Sequence, residues 1–167
     1  MKRILVIGCP GSGKSTFARA LQAKTDLPLF YLDRIYWNAD RTTVAREVFD
    51  ARLEEILRGD EWIIDGNYSR TMERRIRACD TVFFLDYPTE VCLDGIASRR
   101  GKPREDMPWI EDTVDEEFAS YVKEFSASAK PQILALLDQY AKKQIVVFHS
   151  RAEADEWIVA YKKNALT

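Results

Sequence analysis

Gly8-Cys9-Pro10-Gly11-Ser12-Gly13-Lys14-Ser15, followed by Thr16, fits the spacing G-x-x-x-x-G-K-[ST] of a phosphate-binding loop. The chemistry follows from the residue types. Glycines at 8, 11 and 13 let the backbone curl so that its N–H groups point inward, forming a nest for anionic oxygens. A helix opening near Lys14 adds partial positive charge at its N-terminus. Lys14 would reach the β- and γ-phosphates of a nucleoside triphosphate, and the Ser15 hydroxyl would ligate Mg²⁺. Gly8, Pro10, Gly11, Ser12, Gly13, Lys14, Ser15 and Thr16 are therefore expected to hold ATP, although these residues alone do not separate ATP from GTP. A second chemical group is Asp65, which ends the apolar run Trp62-Ile63-Ile64 and so places a carboxylate where α/β sheets bind ligands. Asp86 also ends an apolar run and rivals it. It stands just before Pro88, where a turn-forming aspartate has a local use, so Asp65 is preferred.

These groups need a scaffold, and the pattern along the chain supplies one. Ile4 to Ile7 read as a buried parallel strand before the glycine loop, and Phe17, Ala18 and Leu21 recur at helical spacing after it. Strands are expected at Arg3–Gly8, 29–32, Trp62–Asp65, 81–86 and 144–149, the second being short and following Pro28. Helical patterns lie at 43–58, stopped by Gly59, and at 89–100, with Thr89 as N-cap. Further ones lie at 113–125, with a Val114/Phe118/Tyr121/Val122/Phe125 stripe, at 131–142, and at 153–163. The expectation is an α/β fold: a three-layer P-loop domain with a five-stranded parallel sheet and helices on both faces, residues 1–167 forming one domain.

Composition excludes several classes. Charged residues make up 31% of the 167, hydrophobic ones 46%, and the formal net charge is −2, so nothing draws the chain toward nucleic acid or anionic membrane. No apolar stretch reaches the length of a membrane span, and the first residues read straight into a strand, so no signal peptide is expected. Cys9, Cys79 and Cys92 lack metal-ligand spacing and fit free thiols in a reducing compartment, which makes the cytoplasm the expected location. Because Cys9 lies inside the loop, its alkylation is expected to block nucleotide binding. The arginines at 74, 75 and 77 read as surface charge, and His149 as a core or strand-end residue.

With the segment Asp65-Gly66-Asn67-Tyr68-Ser69-Arg70-Thr71 the chain resembles the nucleoside monophosphate kinase group, whose adenylate kinases carry D-G-[FY]-P-R-T after an apolar strand. It is most similar to the adenylate-kinase-like "DNA topology modulation" proteins. Their L-D-x-x-[YF]-W and W-I-[IV]-D-G-N-Y motifs match Leu32-Asp33-Arg34-Ile35-Tyr36-Trp37 and Trp62 to Tyr68. The resemblance spans nearly the whole chain. It implies a sheet order of 2-3-1-4-5, an acceptor-binding segment at about 33–60, and a mobile lid at about 101–130. Asp65 would hold the water shell of Mg²⁺, and Arg70 would pair with a phosphate or carboxylate of the acceptor. Asp33 would meet the acceptor hydroxyl as general base or as a further Mg²⁺ contact, or else serve as a turn or helix cap. Arg34, Trp37 and Asn67 complete the expected acceptor set, with Tyr36 and Trp37 open either to stacking on a planar substrate or to plain packing. Arg99, at the head of Arg99-Arg100-Gly101-Lys102-Pro103-Arg104, falls where a lid-base arginine contacts phosphates.

The departures are equally specific. Where adenylate kinases stack an arginine on adenine, one helical turn before Arg99, this chain has Gly95. Ser69 replaces a proline, Arg34 is out of register with the acceptor arginine, and Lys123 and Lys130 stand where lid arginines would be expected. The resemblance therefore implies an ATP- and Mg²⁺-dependent phosphotransferase acting on a small-molecule acceptor; the net charge of −2 makes a nucleic-acid partner unexpected, and no membrane partner is expected. The alternative it leaves open is a nucleotide-dependent regulatory protein acting on DNA topology.

Overall fold

The structure, a computed structural model, describes residues 1–113 and 115–162. Val114 and Lys163, assigned above to helical patterns, lie outside the described residues. Five parallel strands form one sheet in the order β2-β3-β1-β4-β5. They are β1 (Arg3–Gly8), β2 (Leu29–Tyr31), β3 (Trp62–Asp65), β4 (Thr81–Leu85) and β5 (Gln144–Phe148). Ile4 to Ile7, Trp62 to Ile64 and Val82 to Phe84 are completely buried, which is why these three strands are continuous apolar runs rather than alternating ones. The edge strands β2 and β5 are only half-buried over most of their length.

The helices are α1 (Lys14–Thr25), α2 (Leu32–Tyr36), α3 (Arg46–Leu57), α4 (Ser69–Ala78), α5 (Thr89–Arg99), α6 (Glu116–Glu124), α7 (Ala129–Gln139) and α8 (Arg151–Ala160). One half of the core is aromatic. Phe83 and Phe148 stack at 6.0 Å between ring centroids, with Phe17 of α1 and Trp157 of α8 set edgewise against them. α8 begins with a cap in which Ser150 accepts from Glu153 N while the Glu153 carboxylate accepts from His149 N at 2.7 Å.

Several elements differ from the sequence expectation, each for a local reason. β2 ends at Tyr31, because Leu32 turns inward as the first, fully buried residue of α2; Asp33 thus lies on a helix rather than at a strand end. α3 starts at Arg46 and not at 43, since Thr43 is held in an antiparallel bridge to Trp37. Pro88, not Thr89, is the N-cap of α5. α4 was not expected as a helix at all. His149 is exposed, with no part in the core. No helix among the described residues is long and apolar enough to cross a membrane.

Candidate functional site

The glycine loop, the turn after β3 and the second half of α5 meet at the carboxyl edge of the sheet, around a cleft of about 1310 Å³. Gly11 and Gly13 have φ of 83° and 94°, left-handed conformations that turn the loop back over β1. Gly13 caps α1 without a side-chain hydrogen bond, so the first-turn N–H groups stay available to an anion. Ser12 Oγ is buried with no hydrogen-bond partner among the described residues. Lys14 Nζ donates to Cys9 O at 3.2 Å. Burial lowers the pKa of this ammonium, while the carboxylates of Asp65 and Asp33 pull it back up. Pro10 and Thr16 also line the cleft.

Ser15 Oγ donates to Asp65 Oδ2 at 2.5 Å, joining the first turn of α1 to the end of β3. Asp65 is 5% exposed, and its Oδ1 is buried with no hydrogen-bond partner among the described residues. Burial raises the Asp65 carboxyl to about 6, against the opposing pull of Lys14 and the Ser15 hydroxyl. A hydroxyl and a half-satisfied carboxylate are hard oxygen donors, and they fit a Mg²⁺ that completes its shell with water and phosphate. No group of three or more His, Cys, Asp or Glu among the described residues forms a self-contained metal cage. The rival Asp86 is engaged elsewhere, by Lys130 at 2.8 Å and His149 at 3.6 Å, and does not line the cleft.

On the other flank Asp33 Oδ1 accepts from Tyr68 Oη at 2.6 Å. Burial raises the Asp33 pKa, and the Tyr68 hydrogen bond and Lys14 oppose the rise. Tyr36, Trp37, Tyr68 and Trp109 wall this end. Tyr36 lies edgewise to Trp37 and to Tyr68 at 5.0 Å each, and Trp37 to Trp109 at 5.1 Å. Asn67 faces the cleft, but its amide is paired with the backbone of Gly8, accepting at 3.1 Å and donating at 2.7 Å, so it fixes the entry to the glycine loop. Arg34 and Arg70 are not brought to the cleft. Arg34 Nε donates to Glu105 O at 2.6 Å. Arg70 is held by Asp50 through two bonds of 3.0 and 2.6 Å and lies in a separate small pocket of about 190 Å³.

Arg75 corrects the surface reading given to it above. It is completely buried, and its guanidinium donates to the carbonyls of Gly66 at 2.7 Å, of Tyr68 at 3.0 Å, and of Asn67. Desolvation lowers its pKa to about 9. One arginine on α4 thus pins the turn that carries Asn67 and Tyr68. Arg74 and Arg77 do sit at the surface, paired with Glu54 and Glu73.

Beyond α5 the chain forms a loop of internal ion pairs. Arg99 faces Glu111 at 3.0 Å and lies over the Phe118 ring at 5.6 Å. Arg104 takes Asp106 at 2.5 and 3.1 Å and Glu111 at 2.6 Å. Asp106 is 7% exposed. Burial and the neighbouring Arg104 lower the pKa of Arg99. Gly95 allows α5 to touch the glycine loop backbone to backbone: a Cβ there would fall 1.9 Å from Gly11 O. No side chain fits, which is the physical reason for the missing adenine-stacking arginine. Arg151 instead enters the cleft from α8, its guanidinium 3.3 Å from Val91 O and 3.4 Å from Gly11 O. The Cys9 thiol is buried, and the neighbouring Cys92 and burial push its pKa up, which disfavours the alkylation considered above in the folded protein.

Sequence reasoning missed Tyr68, Arg75, Asp106, Glu111 and Arg151. The only advance signal was Tyr68, inside the D-G-N-Y run.

A scan of protein-family models finds no match. The chain is 29% identical over 94 residues to an adenylate kinase of Thermotoga neapolitana, covering 54% of this chain and 42% of that protein. It is 28% identical over 109 residues to an adenylate kinase of Thermotoga maritima, covering 61% and 49% respectively. The matched segment thus spans less than half of each relative. Among solved structures, shikimate kinase from Bacteroides thetaiotaomicron superposes with a TM-score of 0.56 at 18% identity, over 95% of this chain and 94% of that one. Shikimate kinase from Aquifex aeolicus gives 0.54 at 19%, over 94% and 92%. The sheet order and the glycine loop are those of the P-loop kinase fold.

Proposed function

We propose that this chain is a small phosphotransferase that moves the γ-phosphoryl of Mg·ATP to a nucleotide or other hydroxyl-bearing acceptor. The observation that carries the reading is one cleft holding both the Ser15–Asp65 pair and the Asp33 carboxylate, with the Lys14 ammonium interacting with both acids. The cleft exceeds the roughly 300–1,000 Å³ of a single-ligand pocket, which suits two substrates side by side. The glycine loop cradles the triphosphate, Lys14 neutralises the β- and γ-phosphates, and Arg99 and Arg104 supply further positive charge. Ser15 and Asp65 would hold a Mg²⁺, which would screen the same phosphates and so lower the barrier to transfer. Asp33 takes the proton of the acceptor hydroxyl, whose oxygen bonds to the γ-phosphorus as the bond from that phosphorus to the β,γ-bridging oxygen breaks. Residues 33–60 serve the acceptor, and residues 101–130 act as a lid that excludes water during transfer.

The alternative, a nucleotide-dependent protein acting on DNA topology, uses the same phosphate cradle but gives no role to Asp33 and its Tyr68 bond. The test is ADP formation from Mg·ATP with and without acceptors. Lys14→Ala should abolish acceptor-dependent turnover in a protein that still folds. Asp33→Asn should keep ATP affinity and lose about 10²–10⁴-fold in transfer, the usual weight of a general base. Unchanged turnover in either variant contradicts the reading.

A further inference from the structure

Resting on the phosphotransferase reading, we infer that the acceptor is an uncharged hydroxyl compound carrying a flat ring, of the nucleoside type, and not a phosphate or carboxylate. Two independent observations carry this. The first is the wall of the acceptor end. Tyr36, Trp37, Tyr68 and Trp109 are half-buried and line the same cleft as Asp33; Tyr68 bonds Asp33 and stacks its ring on Phe49 at 5.3 Å. Aromatic faces around a hydroxyl-seeking carboxylate suit a planar ring joined to a polyol, since stacking accepts any flat π-system.

The second is charge. An anionic acceptor needs a guanidinium or ammonium of its own, apart from those serving the triphosphate. The arginines of this flank are already engaged: Arg34 by the carbonyl of Glu105, Arg41 by Asp112 at 3.4 Å, and Arg70 by Asp50 outside the cleft. At this end Asp33 carries no ion pair among the described residues, whereas Asp106 is held by Arg104. A phosphate brought against Asp33 would meet like charge, a handicap that a neutral ligand avoids. Asp33 Oδ1 is taken by Tyr68, while Oδ2 has no hydrogen-bond partner among the described residues, leaving one oxygen for one hydroxyl. In the step itself that hydroxyl oxygen forms the new bond to phosphorus, its proton passes to Asp33, and ADP leaves.

The experiment compares kcat/KM at saturating Mg·ATP for nucleosides, their 5′-monophosphates, and ring-free hydroxy acids and sugars, with Mg·ATP binding measured separately by calorimetry. Nucleosides should exceed the other groups by at least about tenfold. Trp37→Ala should raise the nucleoside KM about tenfold, and Trp37→Phe much less, with the KM for Mg·ATP unchanged. Preference for monophosphates or hydroxy acids would overturn the inference and leave the phosphotransferase reading in place. Mg·ATP binding with no nucleoside phosphorylated would overturn it too. Absence of Mg·ATP binding would instead remove the underlying reading.

Discussion

Replacing Arg75 with methionine tests whether the turn after β3 is held together by a single buried cation. Methionine keeps most of the stem volume and removes only the donors. Three carbonyls, of Gly66, Asn67 and Tyr68, then lose their partner. Stranded buried acceptors cost about 1–3 kcal/mol each, and the half-buried turn places these at the low end. Against this, burial already drops the guanidinium pKa to about 9, so its removal returns some desolvation energy. The balance is a loss of about 3–4 kcal/mol, near the range for breaking a buried ionic contact. For a domain of this length that corresponds to a fall in Tm of about 6–15 °C. Urea unfolding followed by circular dichroism would give the stability directly. The same variant should impair the site from both ends, because Asn67 fixes Gly8 and Tyr68 holds Asp33. A variant within about 1 kcal/mol of the parent would refute the reasoning, since three lost charge-assisted bonds cannot be that cheap unless water replaces them.

Protonation of Asp65 gives a pH signature of known sign. Its folded carboxyl titrates near 6 instead of near the ordinary value of about 4, so the ligand-free fold should lose stability as pH rises through that window. Mg²⁺ affinity should run the other way, weakening below about 6 as the proton competes; calorimetry across the range would show it, and Asp65→Asn should flatten the profile. Gly95→Ala should destabilise the protein by about 1–3 kcal/mol or more and weaken ATP binding, because the new methyl group collides with Gly11 O. A thermal melt with an ATP titration decides, and normal affinity would show that α5 and the loop can part. Cys9 should resist iodoacetamide in the native protein and react only on unfolding; rapid labelling by mass spectrometry would contradict its burial beside the glycine loop.

Much of the fold was legible because β1 and β3 are uninterrupted apolar runs whose ends coincide with glycine and aspartate. α4 was not legible for the opposite reason. Its sequence, SRTMERRIRA, shows only Met72 and Ile76 as apolar anchors, and a third inward position is filled by a charge, Arg75. Periodicity counts apolar side chains, so a buried arginine is invisible to it. α2 has only five residues and offers too little of a stripe to read. In the site, the phosphate cradle is a contiguous motif and could be read directly. The pairing of Arg104 with Asp106 and Glu111, and of Arg70 with Asp50, depends on how loops fold back, and nothing in residue type announces it.

The carboxylates of Asp106 and Glu111 already sit on Arg104, and Glu111 also on Arg99, as oxygen ligands of the kind a triphosphate would offer. On the phosphotransferase reading proposed above, nucleotide capture by these arginines would be an exchange of one anion for another, not the filling of an empty positive site. Little net charge would be neutralised in the swap, so these contacts would add little to the dependence of affinity on ionic strength. The displaced acids would swing free and repel the phosphates once transfer is done, hastening departure of ADP. The same carboxylates that keep the loop ordered before the nucleotide arrives would thus help to clear the site after it reacts.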